Sequence, residues 1–261
     1  MVDTPIVSVR DLVKTFAGRG TSFKKSKSQV QAVAGISFDV HQGETLSIVG
    51  ESGCGKSTTA RCVTRILKPT SGSIELFGTE VSHASQEEIR PLRRQFQMVF
   101  QDPYGSLSPR RSIVDIVAEP LEAFGMVRNQ RDKRERVAEL LTQVGLPASI
   151  MDRNPRQFSG GQRQRIGIAR ALYKQASVLV FDEATSALDS ESEKWVQSAL
   201  EELMKNRTSL IIAHRLSTIR SADKIIVMES GKIVEMGSHE NLMAKKQGVY
   251  QKMVKLQTEN L

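Results

Sequence analysis

Nine consecutive residues, Gly50-Glu51-Ser52-Gly53-Cys54-Gly55-Lys56-Ser57-Thr58, restrict this chain more than any other feature. They satisfy the glycine-rich pattern of a loop that wraps phosphate oxygens between a buried strand and a helix. The flanks agree. The apolar run TLSIV (45–49) precedes the loop as a buried parallel strand, and a helix is predicted from about Lys56 to Leu67, closed by Pro69 and Gly72. The glycines permit backbone angles that turn successive N–H groups inward. The helix N-terminus adds partial positive charge. Lys56 then serves the β and γ phosphates as a point charge, and Ser57 offers a hydroxyl to Mg²⁺.

The rest of the chain reads as strand and helix in alternation, which predicts a mainly parallel α/β sheet. Ile6–Val13 is expected as an edge strand, Val30–Val40 and Ser73–Phe77 as strands, and Phe96–Phe100 as another. Ser112–Ile150 reads as helical and highly charged, with Arg131–Arg136 on a solvated face. Ser159–Tyr173 and Ser190–Met204 read as helices, Val178–Phe181 and Ser209–Ala213 as buried strands. Lys224–Met228 and Lys232–Glu235 form a hairpin around Gly231, and a helical tail runs from about Ser238. No internal repeat is visible, so the 261 residues are read as one module.

Composition removes several classes. Hydrophobic content is 39% and charged content 25%, an ordinary globular balance. No run of about 18 apolar residues exists to span a bilayer. Met1–Arg10 lacks a signal-peptide core, so a cytosolic chain is expected. Cys54 and Cys62 are too few for a disulfide framework and wrongly spaced for zinc, so both are read as reduced structural thiols. The 37 Lys and Arg against 29 Asp and Glu leave a charge of +8. The basic stretch RGTSFKKSK (19–27) carries no nucleic-acid recognition pattern and is read as a solvated loop.

Two further motifs carry chemistry. VLVFDE (178–183) is an apolar strand ending in two carboxylates. Asp182 would orient Mg²⁺ through its water shell, and Glu183 would accept a proton from attacking water. Ser159-Gly160-Gly161-Gln162, followed by RQRIGIARAL, is a second helix start suited to phosphate, with Ser159 as N-cap.

This second start resembles the signature of ABC transporter ATPases, and the remaining motifs fall in that family's order. Gln101 after QMVF resembles the glutamine-loop residue that contacts metal and nucleophilic water. Ser186-Ala187-Leu188-Asp189 resembles the loop that crosses the dimer interface. His214 after SLIIA resembles the switch histidine at the γ phosphate, and Phe16 the aromatic that stacks on adenine, a core phenylalanine being its rival reading.

The resemblance covers essentially the whole chain. It implies a P-loop NTPase fold with a RecA-like, mainly parallel core sheet, an antiparallel β subdomain and an inserted helical subdomain over about 103–158. It implies an ATPase that takes ATP and Mg²⁺ at Phe16, Gly50–Thr58, Gln101, Asp182, Glu183 and His214. Ser159–Gln162 would complete the site of a second, head-to-tail ATPase subunit, identical or not. Transmembrane permease subunits, an extracytoplasmic solute-binding protein and a peripheral position on the cytoplasmic face of the inner membrane follow. No nucleic acid is expected. The first two thirds, with VGESGCGKSTTAR and VFQDPYGSLSPRRS, are similar to oligopeptide and dipeptide importer ATPases. From Val178 the text, with FDEATSALDSESE and IIAHRLSTIRSADKIIVMESGKIVEMGSHENLM, resembles ATPase domains of lipid and drug exporters. Import of peptides or similar solutes is the leading expectation; an exporter ATPase, or a soluble ABC ATPase outside transport, is the alternative.

Overall fold

The computed structural model describes residues 4–17, 29–100, 107–182, 190–213 and 216–259. The backbone gathers into two compact units, one of 1–89 with 208–261 and one of 90–207.

The first unit opens with β1 (Val7–Ala17) and β2 (Gln29–Val40), paired antiparallel. β3 (Thr45–Gly50) leads into α1 (Lys56–Val63), and β4 (Ser71–Leu76), β5 (Thr79–Glu80) and α2 (Gln86–Ile89) follow. The antiparallel sheet runs β2-β1-β4-β5, so β1 is an inner strand rather than the edge strand its sequence suggested. Both flanks are paired, and the register against β2 and β4 shifts around Asp11, at φ 47°, whose N–H donates to Ser37 Oγ at 2.9 Å. The bulge brings Val7, Val9 and Leu12 to one buried face despite their uneven spacing.

Helix α1 stops at Val63, four residues short of expectation. Thr64 leaves helical geometry and Arg65 takes φ 53°. Arg65 is nevertheless buried, its guanidinium donating to the carbonyls of Val81 (2.5 Å) and Ala84 (2.8 Å). These contacts, made to chain some twenty residues away, outweigh the local helical preference.

The second unit contains β6 (Phe96–Val99), α3 (Ile113–Glu122), α4 (Gln130–Gln143), α5 (Gly160–Lys174), β7 (Val178–Asp182) and α6 (Ser190–Met204), with short 3₁₀ turns at 92–94, 148–150 and 155–157. β6 and β7 pair in parallel, Phe96 opposite Val178. The expected long helical stretch is two helices parted at Gly125, which takes φ 66°. The run 131–136 is not wholly solvated. Lys133 is 3% exposed, its ammonium held by Asp115 (2.7 Å) and Glu122 (2.5 Å) of α3.

The chain then re-enters the first unit as β8 (Thr208–Ile212), α7 (Leu216–Arg220), β9 (Lys224–Glu229) and β10 (Lys232–Gly237), ending in α8 (His239–Met243) and α9 (Val249–Glu259). In this unit the strand order is β10-β9-β3-β8. β3 pairs in parallel with β8 and β9, and β10 returns antiparallel as the expected hairpin. β8 is buried throughout, and β3 and β9 are buried along their inner residues, as strands covered on both faces are. Among the described residues, no helix is long and apolar enough to cross a membrane.

Candidate functional site

The phosphate-loop pattern stands where its flanks place it, between β3 and α1. Gly50, Gly53 and Gly55 adopt φ 151°, 82° and 106°. Two of these glycines are also required by packing. A Cβ on Gly50 would lie 2.2 Å from the Met228 carbonyl oxygen, and one on Gly55 would lie 2.2 Å from the Ala32 carbonyl oxygen. The loop is therefore pressed between β2 and β9. The hairpin glycine clamps it further: Gly231 N–H donates to Cys54 O at 3.0 Å, while Ala34 N–H donates to Gly231 O at 2.8 Å. Ala32, Met228 and Gly231 are the supporting residues that motif reading missed. Gly231 showed itself only as a turn, and the other two gave no signal.

α1 begins without a side-chain cap and without an acid in its first turn, so its positive end has no competing carboxylate there. Lys56 is 5% exposed, and its ammonium donates to the carbonyls of Gly50 and Glu51, both at 2.8 Å. Ser57 and Thr58 are half-buried; Glu51, Ser52 and Gly53 are exposed at the loop crest. Inward glycine backbone, an uncapped helix start, a lysine at the loop's centre and a serine hydroxyl beside it form a donor set for phosphate oxygens and a divalent cation. Cys54 and Cys62 are both free and buried. Burial pushes both thiols upward, Cys62 to about 11, so they stay protonated at neutral pH. Phe16, on β1, is 38% exposed with the Lys14 ammonium 5.1 Å from its ring centre; it is not a core residue.

The second unit carries the other predicted residues. Ser159 caps α5 through a reciprocal pair: its hydroxyl accepts from Gln162 N–H at 3.3 Å, and Gln162 Oε1 accepts from Ser159 N–H at 3.0 Å. Ser159 is exposed and Gly161 buried. The turn before it is held by Arg163, which donates to Pro155 O at 2.8 Å. Buried Gln164 donates to the carbonyl of Phe100, the residue before Gln101, at 3.4 Å. Arg165 donates to Gly145 O at 2.9 Å, tying α5 to the end of α4. Asp182 closes β7 and is fully buried. Gln101, Glu183, His214 and the 186–189 loop lie outside the described residues.

Comparison with known proteins agrees with this arrangement. The sequence profile described as "ABC transporter" matches residues 33–186. The oligopeptide transport ATP-binding protein AppF of Bacillus subtilis is 46% identical over 240 residues, covering 90% of this chain and 73% of that protein. The di/tripeptide transport ATP-binding protein DppF of Pseudomonas aeruginosa is 45% identical over 240 residues, covering 91% and 74%. Among solved structures, the dimeric ATP-binding cassette MJ0796 bound to ADP and Pi has a TM-score of 0.77 at 26% identity, covering 89% of this chain and 98% of that one. A bacterial Atm1-family ABC exporter with ATP bound has a TM-score of 0.74 at 32% identity, covering 98% of this chain and 42% of that one. A phosphate loop with its glycines locked by packing and a reciprocally capped signature helix thus sit in a chain that belongs to the ABC transporter family, as an ATP-binding ATPase cassette.

Proposed function

We propose that the chain hydrolyses ATP to energise a membrane transporter that imports peptides or similar solutes. The observation that carries this reading is the relationship to AppF and DppF, which are named as transport ATP-binding proteins for oligopeptides and for di- and tripeptides and extend over nine tenths of this chain. The geometry of the phosphate loop supports the ATPase part.

In this reading two subunits meet head to tail with two nucleotides between them. Lys56 exchanges its two loop-carbonyl contacts for phosphate oxygens, and the N–H groups from Gly53 to Thr58 surround the β phosphate. Ser57, Gln101 and Asp182 hold Mg²⁺, which supplies charge neutralisation on the phosphates. Glu183 accepts the proton of the attacking water, Gln101 orients that water, and His214 donates toward the γ phosphate. Ser159, Gly160, Gly161 and Gln162 present their helix start to the nucleotide of the other subunit, and Phe16 stacks on adenine. Charge separates when the phosphate bond breaks, the interface loosens, and permease subunits at the cytoplasmic face of the membrane follow that motion.

Affinity purification of the tagged chain from gently solubilised membranes, followed by mass spectrometry, tests the transport reading. Recovery of separate permease subunits, together with a solute-binding protein, supports import. The second reading, an exporter ATPase, is favoured by the likeness to the Atm1-family exporter over 98% of this chain. It predicts permeases without a solute-binding protein, and outward movement of solute in vesicles.

A further inference from the structure

Three segments distant in sequence line an open, largely solvent-facing pocket of about 470 Å³ in the second unit: the stretch before β6, the residues after α3, and the end of α5 with the turn beyond it. None of its described lining residues is among those assigned to the nucleotide site. Its volume lies in the range of small-molecule sites, about 300–1,000 Å³. Pro91, Phe124 and Met126 supply apolar wall; Arg94, Lys174 and Gln95 supply polar groups; among the described residues no Asp or Glu lines it.

Among the described residues, neither cation is paired with a carboxylate. The Arg94 guanidinium lies 5.5 Å from the centre of the Phe124 ring and donates to the Met126 sulfur, a weak acceptor, at 2.9 Å. The half-buried Lys174 ammonium donates to Phe96 O at 2.6 Å and Gln97 Oε1 at 3.0 Å, both neutral. The same ammonium stands 6.0 Å from the centre of the Phe96 ring, so the contacts it makes here are with neutral groups. Burial, and then repulsion from Arg93 and Arg170, pushes Lys174 down to about 8. The negative end of α5, which Lys174 closes, offers roughly half a charge in compensation. Two positive charges in the wall exceed that.

We propose that this cavity binds a small aromatic anion, an aryl phosphate or aryl carboxylate. The anionic head would take the charge-assisted hydrogen bonds of Lys174 and Arg94. The ring would lie against Phe124 and Met126, where an aromatic face, a thioether and a guanidinium plane all favour a flat partner. The proposal does not depend on which solute the transporter carries.

Phenyl phosphate is the probe, titrated into the full chain after the nucleotide site has been saturated with Mg²⁺ and a non-hydrolysable ATP analogue. The chain contains nine methionines, and the Met126 methyl resonance, assigned by Met126→Leu, reads the cavity. A saturable shift of that resonance is expected. Lys174→Met and Arg94→Gln should each weaken it about tenfold or more, the loss of one hydrogen bond to a charged group. Arg94 is exposed, so Arg94→Gln should keep the thermal midpoint and isolate binding from folding. Absence of a Met126 shift, or unaltered affinity in both variants, overturns the site. Phenol binding as tightly as phenyl phosphate overturns the anionic head, and inorganic phosphate doing so overturns the aromatic slot.

Discussion

Replacing Gly55 by alanine separates two costs that glycines in a phosphate loop carry together. The first is conformational. At φ 106° a side chain is strained, by about 1–2 kcal/mol for a left-handed residue. The second is steric. The new Cβ would lie 2.2 Å from the Ala32 carbonyl oxygen, whereas real Cβ atoms essentially never come within 3.0 Å of a neighbour. A gap of about 0.8 Å must open between the loop and β2, both of them backbone and neither able to swing aside. A misplacement of about 1 Å costs catalysis about 100-fold, equivalent to roughly 2.7 kcal/mol. Gly43→Ala is the control, because Gly43 has φ 79° but nothing within 4 Å of its Cβ. Urea denaturation should show Gly43→Ala losing only the strain energy, while Gly55→Ala loses more. Titration with a fluorescent ATP analogue and steady-state turnover should show Gly43→Ala matching the parent, and Gly55→Ala binding more weakly and turning over about 100-fold more slowly. If the two variants bind nucleotide alike, the loop is not held in shape by β2, and the packing account of its glycines fails.

Glu183→Gln should retain ATP binding, lose turnover and accumulate as an ATP-bound dimer in size-exclusion chromatography; unchanged turnover would remove Glu183 from the role of base. Lys133→Met should cost about 2–3 kcal/mol in urea denaturation, below the roughly 3–5 of a fully buried pair, because Asp115 and Glu122 keep 41% and 29% of their side-chain surface exposed. Asp115, hydrogen-bonded first by Lys133 and then by Ser112, is held below the usual carboxylate range. Its contribution is therefore complete above the unfolded value of about 4 and is lost as pH falls through the lower folded value; Asp115→Asn should flatten that acid limb of a stability–pH curve. Phe16→Ala should weaken ATP binding by about tenfold, the order of one aromatic contact with its buried area, while leaving the urea midpoint nearly unchanged because the ring is 38% exposed.

The helix starts at Lys56 and at Gly160 were legible in the sequence because each is built from near neighbours. Gly50–Thr58 needs only a strand before it and a helix after it, and Ser159 finds its reciprocal cap three residues on, at Gln162. The buried parallel strands were legible as well, since burial on both faces leaves short, mostly apolar runs at 45–49, 178–181 and 209–213. What tertiary structure decided is what depends on chain brought from elsewhere. Arg65 ends α1 early because its hydrogen-bond acceptors are at Val81 and Ala84. Lys133 is buried while Arg131 is exposed and Arg134 half-buried, because α3 supplies two carboxylates at that one point. β1 is an inner strand because β2 and β4, brought from later in the chain, pair along its two sides. The cationic cavity joins residues 91–95 to 124–126 and 174–177, and no periodicity in the sequence marks that meeting. Backbone hydrogen bonding and capping act over three or four residues and leave a local signature. The pairing of charges and the contact of one backbone with another depend on which surfaces folding brings together, so they are settled only in three dimensions.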